Sequence, residues 1–226
     1  MKKRVIVLAL GCTMAFGCAV GGTLAWLTDS TTEVKNTFTT SDITIELTET
    51  TTDYQMVPGH TIAKDPKVTV KADSEDCYVF VKVEEAGGVV TYTPTGKTEA
   101  TTTQWSDWLT YNIVDGWTPL VDEDNDGKAD NGVYYREVST PTTDDSYDII
   151  WYDANSNTTM DDVEKNTVGV ESTVTKDMMN AIKDEKDRPT LTFTAYATQL
   201  YKTNVGDEQD KKFTPAEAWD AVNPTT

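Results

Sequence analysis

The strongest constraint on the fold is an alternation of apolar and polar residues that recurs along the chain. In segment 42–48, Ile43, Ile45 and Leu47 alternate with polar residues. A period of two places such side chains on one face of a strand. The strand candidates, which are rich in β-branched and aromatic residues, are 42–48, 67–71, 77–84, 111–114, 133–138, 147–151 and 191–197. With turn residues between them, they predict a mainly β fold, a single jelly-roll-like antiparallel β-sandwich with a few short helices.

Segment 77–84 predicts how one of these strands sits in the sandwich. Cys77 shares a face with three valines, whereas Tyr78 and Phe80 partly cover the other face. Cys77 is therefore interpreted as a small core residue, because a reactive thiol needs a cationic neighbour that the sequence does not supply.

Two short helices are predicted after the strand-rich middle of the chain. Thr175 is a candidate N-cap for a helix over 175–182, and Thr214–Glu217 forms a capping box with Pro215 at the first helical position. The expected organisation is a signal peptide (1–25), a tail or donor strand (26–40), the sandwich (41–204) and a charged linker with a helix (205–226).

The N-terminus has the composition of an export signal. Three cations at 2–4 precede an apolar stretch over 5–20, and small residues lead to Ala25. Thr23 and Ala25 fit a signal peptidase, and cleavage after Ala25 would leave Trp26 as the new N-terminus. The alternatives are a permanent membrane anchor, since the stretch can reach across a bilayer, and a lipid anchor on Cys18.

Charge narrows the range of partners. The chain has 226 residues and a formal charge of −19, and removal of 1–25 takes away three cations, which leaves −22 on 201 residues. Such a chain repels nucleic acid and anionic membranes, so we expect no nucleic-acid partner and membrane contact only as a precursor. Cys77 is the single cysteine after residue 25, so no internal disulfide is expected.

An acidic loop is the most distinct local motif. Asp122, Asp124 and Asp126 occupy positions 1, 3 and 5 of a calcium-loop pattern, Gly127 follows at 6, and Asp130 stands at 9. Position 12 should carry a bidentate glutamate and is Val133 instead. The loop is therefore either a weak Ca²⁺ site or an acidic surface turn.

Enzymatic motifs are sparse. His60 is the only histidine, it lies in a Pro-Gly turn, and neither a zinc motif nor a nucleophile elbow accompanies it. We expect His60 to be a solvated turn residue. Four tryptophans, at 105, 108, 117 and 151, are interpreted as core residues, with a sugar-binding face as the alternative.

Several of these segments together resemble the TasA/camelysin family. The similarity runs through residues 22–29, through 36–39, through 56–59 with 64–66, and through the strand at 193–199. The stretch from about 87 to 166 has no residue-by-residue counterpart. Family members are secreted Gram-positive proteins that are processed by the signal peptidase SipW, and they include subunits of biofilm fibres.

This resemblance implies a jelly-roll domain at the cell surface or in the extracellular matrix. It also implies fibre assembly in which an N-terminal strand, released by cleavage, completes the sheet of the next subunit. In this chain the donor would begin at Trp26, and Trp26, Leu27, Val34 and Phe38 are its apolar residues. A flexible tail or an internal first strand is the alternative.

The sequence is compatible with three classes of function. A non-enzymatic structural protein that self-associates ranks first. A secreted camelysin-like metallopeptidase ranks second, because no metal-ligand set accompanies the resemblance. The third is a non-fibrous surface-binding module that uses the tryptophans and the acidic loop.

Overall fold

The computed structural model describes residues 27–28, 43–51, 53–156, 159–161, 164–184, 188–202 and 211–223, with the backbone alone at 27–28 and 53. It is the mainly β, antiparallel sandwich with few short helices that the alternation predicts. Its strands are β1 (Leu27–Thr28), β2 (Ile45–Thr48), β3 (Asp53–Tyr54), β4 (Thr61–Ala63), β5 (Lys67–Val70), β6 (Cys77–Ala86), β7 (Val89–Tyr92), β8 (Thr101–Gln104), β9 (Leu109–Thr110), β10 (Asn112–Ile113), β11 (Thr118–Pro119), β12 (Val133–Val138), β13 (Asp145–Asp148), β14 (Ile150–Trp151), β15 (Thr167–Val170) and β16 (Thr190–Gln199).

Two antiparallel sheets face each other across the main core. One has the strand order β11-β12-β6-β16 and the other β13-β5-β2. Strands β6 and β16 form the longest ladder, with Cys77 opposite Gln199 and Ala86 opposite Thr190. A smaller sheet, β4-β15-β9, contributes further apolar side chains to the same core.

The two faces of β6 behave as its alternation requires. Cys77, Val79 and Val81 are buried in the main core. Tyr78 and Phe80 point to the opposite face, where they join a second apolar cluster with Trp219. The sequence predicts only partial cover for that face, whereas the structure buries both rings completely.

This second cluster is built by the C-terminal helix α2 (Pro215–Val222). Thr214 caps it in a capping box with Glu217, as predicted, and Pro215 occupies the first turn. The Trp219 ring lies 5.4 Å from Phe80 and 5.1 Å from Tyr196, between ring centroids. The helix is thus an integral layer of the domain rather than an appendage.

Except for one strand, the other predicted elements are confirmed in type, although most of their bounds differ. Helix α1 (Lys176–Ala181) is capped by Thr175, and a 3-10 helix spans Trp105–Trp108. The prediction of one continuous strand over 147–151 is wrong. The chain leaves β13, which pairs with β5, and enters β14, which pairs with β10, so two sheets divide the segment. Residues 205–210 of the predicted linker lie outside the described residues.

Candidate assembly surface and acidic loop

The predicted donor strand is described at only two positions. Residues Leu27–Thr28 form β1, which pairs antiparallel with β3 so that Leu27 lies opposite Tyr54 and Thr28 opposite Asp53. The other predicted processing and assembly residues, Thr23, Ala25, Trp26, Val34 and Phe38, lie outside the described residues. The segment just after the predicted cleavage point therefore has a strand partner on this chain.

Strand β1 also lies against β16, the terminal strand of the larger sheet. β16 is ten residues long. Within the described ranges its ladder is with β6 alone, and no described strand forms a ladder with its second edge. Such an edge is a template for strand addition. Strand β2 of the facing sheet lies beside it.

A buried ion pair lies behind this edge. Lys64 Nζ donates to Glu49 Oε1 at 2.7 Å, and the two side chains are 0% and 1% exposed. The Tyr54 hydroxyl donates to the same carboxylate at 2.5 Å and also contacts the Thr51 carbonyl. Lys64 Nζ lies 5.0 Å from the centroid of the Tyr54 ring and 5.2 Å from that of Phe193.

We call Glu49, Tyr54, Lys64 and Phe193 the β16 flank. The burial of Lys64 is not among the sequence predictions, in which Lys64 belongs only to the segment 64–66 of the resemblance. A signal was present, because the residues of β4 alternate between exposed and buried, and Lys64 continues this alternation two positions after the buried Ile62. A hydropathy pattern alone treats lysine as a surface residue, so this inward position is easily missed.

A second cation, Arg136, lies on the opposite side of the sandwich. Arg136 of β12 stacks on Tyr147 of β13, with its guanidinium carbon 3.6 Å from the ring centroid, and lies 5.2 Å from the centroid of Trp117. Desolvation lowers the pKa of Arg136, and burial together with a hydrogen bond to Asp145 raises the pKa of Tyr147 to about 12. We call Trp117, Arg136 and Tyr147 the β12 flank.

The acidic loop brings three of its four predicted ligands together. Carboxylate oxygens of Asp122, Asp124 and Asp126 lie within 4.8 Å of one another. Asp130 takes another role, since its Oδ2 accepts a hydrogen bond from the Glu123 amide at 2.7 Å. These three carboxylates are oxygen ligands of the kind that hard cations prefer.

The loop conformation follows from residues that tolerate positive φ. Asn125 has φ 59° and Gly127 has φ 82°. These turns aim the amides of Asp126 and Gly127 at the Asp122 carboxylate, at 3.1 and 3.2 Å. The loop also borders a cleft of about 630 Å³ that is lined mainly by segment 109–117.

The interpretations of single residues as structural are confirmed. All four tryptophans at 105, 108, 117 and 151 are buried, and Trp117 and Trp151 also line the cleft beside the acidic loop. His60 is exposed in its turn, and its Nδ1 lies 3.1 Å from the Pro58 carbonyl. Cys77 is wholly buried, and desolvation, assisted by Asp76, raises the pKa of its thiol to about 12.

Comparisons with protein-family models, with curated proteins and with solved structures found no match for this chain. None of the helices within the described ranges has the length and apolar composition needed to span a bilayer. The chain is thus defined by its own geometry as an antiparallel β-sandwich with a long edge strand, a short strand beside it and an acidic loop.

Proposed function

We propose that the chain is a secreted structural protein of the cell surface or biofilm matrix that self-associates into fibres through its N-terminal strand after signal cleavage. The observation that supports this most directly is the position of β1. It is paired to β3 and lies against the edge strand β16, next to the predicted cleavage point. In a fibre, the same place would receive the strand of a second copy.

The chemistry of strand addition fits this surface. An incoming strand forms main-chain hydrogen bonds with an open edge, and its alternate side chains fill apolar sites. The segment from Trp26 to Phe38 is mostly polar and Thr-rich, with sparse apolar residues that match this role. The resemblance to the TasA/camelysin family supports the same function, and a SipW-type signal peptidase would be the processing partner.

The test compares two purified chains, one that begins at Trp26 and one that begins at Ile43. We expect fibres by electron microscopy only from the longer chain, because the shorter one lacks the donor. Within the longer chain, Phe38→Asp should suppress assembly, whereas Thr39→Asp is the matched control with the same added charge at a polar position. Monomers from both chains in all conditions, or equal fibre formation by both, would exclude the proposal.

The acidic loop supports a secondary role as a weak Ca²⁺ site, because three aspartate carboxylates converge there. Titration calorimetry with the protein and Asp124→Asn tests this. A heat of binding at millimolar Ca²⁺ that is absent in the variant would favour a Ca²⁺ site. The absence of a heat of binding in both proteins would exclude it. The metallopeptidase alternative has less support, since this group, the one set of candidate metal ligands in the described ranges, holds no histidine or cysteine.

A further inference from the structure

We propose that the buried Lys64–Glu49 ion pair is a positioning device that fixes the register in which an N-terminal strand docks on the β16 flank. This inference rests on the proposed function and adds to it the residues that select the register. In the proposed fibre the docked strand comes from a second copy, and it pairs Leu27 with Tyr54 as β1 does within this chain.

The pair lies where the elements around β1 meet. Glu49 directly follows β2, Lys64 directly follows β4, and Tyr54 belongs to β3, the strand that pairs with β1. Phe193 of β16 closes the group from the larger sheet. One ionic cluster therefore ties together the segments that surround a docked strand.

Tyr54 connects the ion pair to the docking site. Its hydroxyl donates to the Glu49 carboxylate, and its ring lies over the Lys64 ammonium. β3 has only two residues, so its own ladder does little to hold it in place. Anchoring Tyr54 through its side chain fixes the backbone groups that meet Leu27 and Thr28.

The energetics of buried ion pairs favour a role in selecting the strand register over a role in stabilising the fold. Removing two charges from water is costly, and replacing a buried ion pair with apolar residues of similar volume is often neutral or stabilising. An apolar pair at 49 and 64 would therefore be expected to fold at least as well. The ionic pair differs in being directional, because Glu49 accepts from Lys64 and Tyr54 at defined positions.

Register matters here because a slip by one residue turns every side chain of a strand to the other face. In the observed register Thr28 lies opposite Asp53. After a slip by one residue, Leu27 or Asp29 would lie opposite Asp53 instead. A device that penalises slippage would make docking selective.

Disulfide trapping in the chain that begins at Trp26 measures the register directly. Asp53→Cys is combined with Thr28→Cys for the observed register, or with Leu27→Cys or Asp29→Cys for slips in either direction. Facing residues of antiparallel strands are close enough to be bridged. With Lys64 and Glu49 intact, we expect trapping at 28 to exceed trapping at 27 or 29 by about tenfold, an energy difference of about 1.4 kcal/mol.

The decisive variant combines Lys64→Met with Glu49→Leu. We expect its preference for trapping at 28 to fall below about threefold. Its urea midpoint should be unchanged, which would show that the loss of preference is not a loss of stability. Tyr54→Phe, which keeps the ion pair and the ring but removes the hydroxyl that bonds to Glu49, should also lower the preference and covers a failure of the double variant to fold. Arg136→Met on the β12 flank is the matched control and should retain the preference.

Retention of the full preference in both the double variant and Tyr54→Phe would overturn the inference. Failure of the proposed function has a different signature: all disulfides would be intramolecular and no fibres would form, whatever the register. Intermolecular disulfides that form in fibres with the preference for 28 would support both proposals.

Discussion

Each of the two flanks of the sandwich holds a cation beside aromatic rings, but the two cations are neutralised in different ways. On the β16 flank, Lys64 is wholly buried and bonded to the Glu49 carboxylate. On the β12 flank, Arg136 is only partly buried and is held by the faces of Tyr147 and Trp117. Its Nε has no hydrogen-bond partner among the described residues, and none of the ion pairs in those ranges involves it.

The difference follows from how much of each cation water can reach. An ammonium with no exposure must have a carboxylate partner, because an isolated charge in the interior costs several kcal/mol. A guanidinium is planar and weakly hydrated, so it can stack on rings while its outer nitrogens stay in water. The β16 flank is therefore rigid and directional, and the β12 flank is tolerant of small shifts.

Lys64→Met gives the largest expected effect, because it leaves the Glu49 carboxylate buried without its cation. We expect the free energy of unfolding to fall by about 3–5 kcal/mol, measured by urea denaturation at pH 7. Met keeps most of the apolar volume, so little of the loss should come from a cavity. Adding Glu49→Leu should restore most of the stability, and a single-variant loss below about 1 kcal/mol would contradict the account of this flank.

Arg136→Met tests the other flank with the same new residue and should cost less, about 0.5–2 kcal/mol. The stack with Tyr147 is lost, but no charge is left buried without a partner. Arg136→Lys keeps the charge and removes the planar group, so it should recover only part of the loss. If Arg136→Met costs as much as Lys64→Met, the contrast between the flanks is wrong.

The sequence predicts the strands, the core residues and the helix caps far better than it predicts the contacts of the two flanks. Alternation correctly locates β5, β6, β12 and β16, because strands that pack one face on a core must have a period of two. It also assigns Cys77 and the tryptophans to the core. The capping residues Thr175 and Thr214 are correct because a cap is a local chemical requirement.

The features that the sequence does not predict depend on contacts between segments that lie far apart along the chain. Lys64 and Glu49 are separated by 15 positions and meet only because β2 and β4 are brought together by the fold. The break at Ile149 arises because β13 and β14 pair with different strands, which no local period records. Similarly, three aspartates of the acidic loop converge while Asp130 bonds to a backbone amide.

The smallest expected effect concerns acid and involves a carboxylate beside the β16 flank. Asp65 follows Lys64, and its two carboxylate oxygens accept from the Thr50 amide at 2.9 Å and from the Thr50 hydroxyl at 2.5 Å. Burial raises the pKa of Asp65, but the bonds from Thr50 outweigh it and hold the pKa below its usual value. The pKa of Asp144, just before β13, is likewise lowered by a bond from the Ala72 amide and by Lys71, whereas the shifted groups of the β12 flank itself are Arg136 and Tyr147.

A carboxyl group with a lowered folded-state pKa stabilises the fold fully above its unfolded pKa of about 3.9, and this contribution disappears as the pH falls through the folded-state pKa. Asp65→Asn should therefore lower the urea midpoint at pH 6 and lose this effect progressively below about pH 4. The difference should stay under about 1 kcal/mol, because the pair is largely exposed. Measured midpoints of both proteins from pH 2 to 7 should converge in acid; a constant gap would mean that the Thr50 contacts do not depend on the charge of Asp65.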